Sequence, residues 1–234
     1  MKSVLIVSAL PQETEYISDY VNEQENWKQL DENNYINADR TLSIHVRVLG
    51  VGKVNAAFQT ADAINEVKPD LIVNIGVAGG LADDLDVGSL AIGTDYVQVD
   101  LKTLLPENAP VIAPSAKELV DSLLRVARQS GISCKAGKIA TGDFVLYEED
   151  KRRNIKDEYD PIAFDMESAA IAQVATAKGI DFVSIRSFSD MANTETVGRF
   201  SQKKESNEDQ KELLRKVFRL PAKLIVDYLN ESEG

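Results

Sequence analysis

At 234 residues the chain is long enough to bury a sizeable core within one α/β unit, and a hydrophobic content of 44% argues against a disordered polymer. A formal net charge of -12 sets it against polyanions, and the short cationic run Lys151, Arg152, Arg153 is flanked by acids, so nucleic acid is not an expected partner. The single cysteine, Cys134, allows no internal disulfide, and with one histidine in the chain no Cys/His set exists for zinc.

SVLIVSAL, residues 3–10, is short, apolar and β-branched, which predicts a buried strand; Pro11 then starts a helix carrying Glu13, Tyr16, Ile17 and Tyr20. Pro11, Gln12 and Glu13 end the apolar run from Val4 too early for a signal peptide, and no other stretch approaches a membrane span. A soluble protein of a reducing cytoplasm is the expectation. Residues 26–49 predict a meander of short strands, in which His45 sits in the alternating LSIHVRVLG as a strand residue, so acid–base chemistry falls to carboxylates. VNAAFQTADAINEVK predicts a helix with Val54, Phe58, Ala61, Ile64 and Val67 on one face.

LIVNIGVAGG and LAIGTDYVQVD predict two further strands, and the proline-bearing LKTLLPENAPVIAPS an irregular loop. SAKELVDSLLRVARQSG predicts a helix capped by Ser115 with Glu118 three residues on and closed by Gly131. AGKIATGD, AFDM and DFVSIRSFSD predict strands, ESAAIAQVATAKG a short helix between the last two, and an amphipathic helix from about Glu208 to Leu229 closes the chain. This alternation implies an α/β sheet with helices on both sides.

GVGKVN matches neither nucleotide fingerprint, because Asn55 stands where the dinucleotide motif has its third glycine and Arg47 where a P-loop has its first. Ligands of open α/β sheets bind outside the carboxyl ends of strands, and Glu13, Gly52, Gly79, Asp143, Glu167 and Asp190 all fall just past such ends. Each acid alone has an ordinary alternative: a helix or turn cap for Asp190, a first-turn acid for Glu13 and Glu167. Asp165, by strand alternation, points with Glu167.

SALPQETEYI, GVGKVNAA, NIGVAGGL, ATGDF, FDMESAAIA and RSFSDMAN, in this order and spacing, resemble the nucleoside phosphorylase and nucleosidase superfamily, most closely its 5'-methylthioadenosine/S-adenosylhomocysteine nucleosidases. The resemblance implies one α/β domain over residues 1–234, with a central mixed twisted sheet flanked by helices. It also implies a homodimer, no metal or organic cofactor, and a small-molecule nucleoside as partner, whose bond from adenine to a 5'-thio-substituted ribose is split by water. By match of motif Glu13 would activate the water and Asp190 would protonate adenine N7. Glu167 would bind the ribose hydroxyls with Met166 under the sugar. Ser189 and Arg186 would support Asp190, and Val51, Val77, Ala78 and Gly79 would line the pocket. The family places an aromatic residue on the base, but here Val145 holds that place, with Phe144 before it and Leu146 after it as backbone partner of the adenine edge. The family's loop after YVQVD brings aromatic residues to the 5'-substituent, and LKTLLPENAP has none.

The resemblance favours hydrolysis over phosphorolysis, since SALPQETEYI lacks the arginine that phosphorylases carry there and Glu13 would repel phosphate. The alternatives are another purine nucleosidase or a phosphorylase, acting on 5'-deoxyadenosine, futalosine-type compounds, adenosine or inosine, and a nucleoside-binding protein without turnover.

Overall fold

The computed structural model describes residues 1–101, 112, 115–193, 195 and 208–231; most of the proline-bearing loop expected after Asp100 lies outside them. The strands are β1 (Lys2–Ser8), β2 (Trp27–Asp31), β3 (Asn34–Asn37), β4 (Leu42–Val48), β5 (Leu71–Gly80), β6 (Leu90–Gln98), β7 (Cys134–Thr141), β8 (Ala163–Asp165) and β9 (Asp181–Asp190). The helices are α1 (Glu15–Asn22), α2 (Lys53–Val67), α3 (Lys117–Gln129), α4 (Glu149–Tyr159), α5 (Ser168–Lys178) and α6 (Glu208–Glu231), and Pro11–Glu13 forms a 3-10 turn before α1.

The nine described strands form one mixed sheet in the order β2-β3-β4-β1-β5-β8-β7-β6-β9, with β9 also paired to β5. Strand alternation divides the core between the two faces. Val4 and Ile6 of β1 pack with α1, α3 and α6, whereas Leu5 and Val7 face α2 and α5. The pairing of β9 with both β5 and β6 curls the second half of the sheet into a ring of five strands, β5-β8-β7-β6-β9.

One detail of this topology makes the site. Strand β1 lies along β5 from Leu71 to Asn74, while β8 pairs on β5 only at Gly79 and Gly80. Between these contacts β1 and β8 diverge, and the backbone of β5 from Ile75 to Ala78 is left for side chains arriving from the loops. Such a parting of neighbours at strand carboxyl ends is where α/β sheets place ligands.

Two helix expectations are corrected. The cap of α3 is Ala116, not Ser115, and no side chain caps it. Ser115 instead sits 2.8 Å from the hydroxyl of Tyr96, a buried group that needs a partner away from water. Helix α2 buries Ala56, Thr60, Ala63 and Ile64 and leaves Val54 80% and Phe58 67% exposed. Its small residues allow close approach to the alanine-rich α5, so the bulkier stripe faces outward. Helix α4 has no counterpart among the sequence expectations, because EEDKRRNIKDEY is almost all polar and buries only Ile155.

Candidate active site

Glu13 ends the 3-10 turn that Pro11 begins and is only 2% exposed. Its Oε2 accepts from the N–H groups of Ala9 (2.9 Å) and Leu10 (2.8 Å), and its Oε1 from Val77 N–H at 3.0 Å. The last donor lies in the stretch of β5 that the parting of β1 and β8 leaves open. A Cβ on Gly76 would run into Glu13 Oε1 and Arg186 Nη1, so only glycine admits both groups there.

Glu167 is the N-cap residue of α5, but its side chain makes no cap bond. It reaches across to the loop before α2, where Oε1 accepts from Gly52 N–H at 2.9 Å. Its other oxygen lies 3.4 Å from Arg186 Nη2. Among the described residues the fully or nearly fully buried acids near this point are Glu13, Asp165 and Glu167, and Arg186 is the only buried lysine or arginine. Burial pushes the Glu167 carboxyl up to about 7; Arg186 and the Gly52 N–H pull it down, while Asp165 and Glu13 push it further up.

Asp165 points with Glu167 to the same guanidinium, Arg186, but not into the cavity. It lies on β8 and does not line the pocket; its Oδ2 is 2.8 Å from both Nε and Nη2 of Arg186, and Oδ1 accepts from Thr141 Oγ1 at 2.6 Å. Its carboxylate also takes the N–H of Ser168 at 3.2 Å and the Ser168 hydroxyl, thus capping α5 in place of Glu167. Strand β8 itself ends at Asp165, two residues before Glu167. Arg186, fully buried on β9, spends its donors on Asp165 and Glu167, and on Asn74, whose amide oxygen turned toward the guanidinium accepts at 2.6 Å. It braces Glu167, not Asp190 as expected.

Asp190 closes β9, beside Gly79, which is itself paired with Phe164 across β8. Oδ2 accepts from Ser189 Oγ and Oδ1 from Ala192 N–H, both at 2.8 Å. Burial pushes the Asp190 carboxyl above the ordinary aspartate value against these two bonds, which act to lower it.

These groups converge on a cavity of about 220 Å³. Glu13, Val51, Val77, Ala78 and Gly79 line it, as do Phe144, Val145, Leu146, Met166, Glu167, Ser189 and Asp190; Arg186 stands behind Glu167. Ala9, Leu10 and Phe164 also line it, and no sequence signal singles them out. Phe164 reads in AFDM as one more apolar strand residue; only the sheet register shows it two strands from Asp190. Its ring packs 4.9 Å from that of Phe144, whose face is covered by Lys151 Nζ. Val145 is 60% exposed at the rim. Among the described residues no group of three or more His, Cys, Asp and Glu could hold a metal ion, and no helix is long and apolar enough to cross a membrane. His45 is a strand residue bonded to Asn34 and Ser43, far from this chemistry in role.

A model of the phosphorylase superfamily matches residues 3–230 of the chain. The chain belongs to that superfamily. Within the superfamily, the 5'-methylthioadenosine/S-adenosylhomocysteine nucleosidase of Staphylococcus aureus (strain bovine RF122 / ET3-1) is 37% identical over 155 residues, which cover 62% of this chain and 68% of that protein. That likeness places the chain in the nucleosidase family of the superfamily. The structure of the corresponding nucleosidase from Neisseria meningitidis, in complex with methylthio-immucillin-A, superposes with a TM-score of 0.79 at 28% identity, covering 99% of this chain and 100% of that one. Futalosine hydrolase of Helicobacter pylori, at 23% identity and a TM-score of 0.80 over 98% of each chain, shares the superfamily fold.

Proposed function

We propose that the protein hydrolyses the N-glycosidic bond of 5'-methylthioadenosine and S-adenosylhomocysteine, releasing adenine and the 5-thio-substituted ribose. The observation that carries this reading is the meeting of three carboxylates with different surroundings around one apolar cavity: Glu13 under three N–H donors, Glu167 beside a buried guanidinium, and Asp190 in a partly buried site that raises its carboxyl above the ordinary aspartate value. Glu13 takes a proton from water as the oxygen attacks C1' of the ribose. The C1'–N9 bond breaks with its electron pair passing to the base, and Asp190 delivers a proton to N7, which makes adenine a competent leaving group. Positive charge gathers on the ribose ring meanwhile, and ionised Glu167 at the sugar hydroxyls stabilises that charge more than it does the ground state. The apolar wall of Phe164, Leu146 and Met166 keeps competing water from the base and sugar faces. The chemistry uses side chains alone, with no metal or organic cofactor.

The protein is a homodimer of the cytoplasm on this reading. Supporting the dimer, Val51, Val54, Phe58 and Val145 expose apolar surface around the N-terminal end of α2, next to the rim of the cavity. A second copy laid on this face would cover them together.

The deciding experiment mixes purified protein with methylthioadenosine, S-adenosylhomocysteine, adenosine and inosine, with and without phosphate, and follows free base. Adenine released from the two thio-nucleosides without phosphate is the expected result. Release that requires phosphate makes the protein a phosphorylase, and no release from any of the four removes the enzymatic reading.

A further inference from the structure

Glu167 is held from two directions. Arg186 approaches from β9 and the N–H of Gly52 from the loop before α2, with Asp165 on β8 and Glu13 in the 3-10 turn as the other charged groups facing it. That Gly52 N–H needs an anchor of its own. The loop is short and glycine-bearing, and Gly52 stands at a φ of 91°, a conformation that costs other residues strain.

The next amide supplies the anchor. Lys53 N–H, the first of α2, donates to Asp143 Oδ1 at 2.8 Å. Asp143 follows β7, and its own N–H donates to Asp100 Oδ2 at 2.8 Å; Lys53 Nζ then bonds Asp100 Oδ1 at 2.6 Å. Three loops, after β4, β6 and β7, are tied together by this small circuit. Because Gly52 has positive φ, two consecutive amides diverge: one goes to Glu167 inside the cavity and the next to Asp143 outside it. Fixing the second fixes the first.

We propose that Asp143 is a positioning residue, which by gripping the first amide of α2 holds the Gly52 N–H on Glu167 and so keeps Glu167 ready to engage the ribose as a charged group. Asp143 does not line the cavity, and its carboxylate touches no substrate on the reading above. Its effect passes across Gly52, from one peptide unit to the next. The kinetic consequence rests on the hydrolase reading; the effect on Glu167 itself does not.

The two ways in which Asp143 could influence Glu167 have opposite signs. As a negative charge it disfavours ionisation of Glu167, so deleting the charge alone lowers that carboxyl's pKa. As an anchor for the loop it favours ionisation, because the Gly52 N–H bonds the charged form, and losing the anchor raises the pKa. Protein labelled with 13C-glutamate, with the Glu167 signal assigned by its loss in Glu167→Gln, reports the titration directly by NMR and needs no turnover. We expect Asp143→Ala to raise the Glu167 midpoint by about half a unit or more. Asp143→Asn, which keeps an acceptor for Lys53 N–H, should leave the midpoint unmoved or slightly lower. Asp143→Glu keeps the charge but displaces the acceptor and should move it upward as Ala does, which gives a second reading if the alanine variant folds poorly. In kcat/KM for adenine release, the limb of the pH profile set by Glu167 should move with the NMR midpoint. An unmoved or lowered midpoint in both the Ala and Glu variants overturns the proposal, whatever happens to the melting temperature. Absence of adenine release by the wild-type protein overturns the hydrolase reading instead, and leaves the NMR result to decide on Asp143.

Discussion

At the scale of single residues the site is a problem of charge count. Glu13, Asp165 and Glu167 are buried around one buried guanidinium, Arg186, so the cluster carries more potential negative charge than positive. Burial first, then Asp165 and Glu13 against the pull of Arg186, pushes the Glu167 carboxyl to about 7. Asp165 holds Arg186 closely enough that the guanidinium is committed, and burial, which works against the Arg186 charge, is outweighed by its acidic neighbours. On the proposed mechanism the productive form has Glu167 ionised and Asp190 protonated. It is lost as pH falls, when Glu167 gains a proton, and lost as pH rises, when Asp190 gives its proton up, so kcat/KM should follow a bell with one limb set by each acid. Asp190→Asn should lower adenine release by about 10² to 10⁴, the contribution of a well placed general acid, with little change in melting temperature. A folded variant within tenfold of wild type would remove Asp190 from that role. The acids themselves can be picked out of the sequence because they stand just past apolar strand runs. The pairing of Asp165 with Arg186 cannot, since 21 positions separate the two and only the pairing of both their strands on β5 brings them together.

At the scale of elements, short junctions matter more than long helices. Strand β8 has three residues, and each meets a different neighbour: Ala163 the core, Phe164 the cavity and Asp165 the guanidinium. The family resemblance puts the base-stacking position at residue 145, where this chain has valine, whereas β8 presents Phe164 on the cavity wall, with the ring of Phe144 against it. Phe164→Leu should therefore raise KM for methylthioadenosine by roughly 3- to 10-fold, the scale of an aromatic stacking contact, with kcat affected less. Val145→Ala, at the exposed rim, should move KM less than Phe164→Leu does; the reverse order in initial-rate measurements would assign the base contact to residue 145. The strands are legible because β-branched runs such as SVLIVS and LIVNI announce them. Helix α4 is not, because its amphipathic signal amounts to a single buried side chain, Ile155, beneath many charges. Helix α2 is legible as a helix but not in its rotation, as both its faces carry apolar residues and only packing on α5 decides between them.

At the scale of the whole molecule, the outward stripe of α2 joins the fold to the proposed assembly. Phe58 is 67% exposed and Val54 80%, on the helix that follows the cavity-lining Val51, in a chain of net charge -12. Phe58→Glu should convert a dimer to monomer in light scattering at equal protein concentration while the isolated fold persists in circular dichroism. A monomeric wild-type protein in the same measurement would remove the dimer. The mixed sheet with helices on both faces is readable in the alternation of strand and helix patterns. Its closure into a ring is not, because it depends on β9 pairing with two strands at once, which no local pattern encodes.

Arg186 also bears on the burial of Asp165. It lies on β9, late in the chain, yet it is the counter-charge for Asp165, whose strand is made earlier. A carboxylate sealed into apolar surroundings without its cation is strongly disfavoured, by about 3–5 kcal/mol when a buried pair is broken. Asp165 can therefore be buried at low cost only with Arg186 in place beside it. The guanidinium that braces Glu167 thus also makes the burial of Asp165 tolerable.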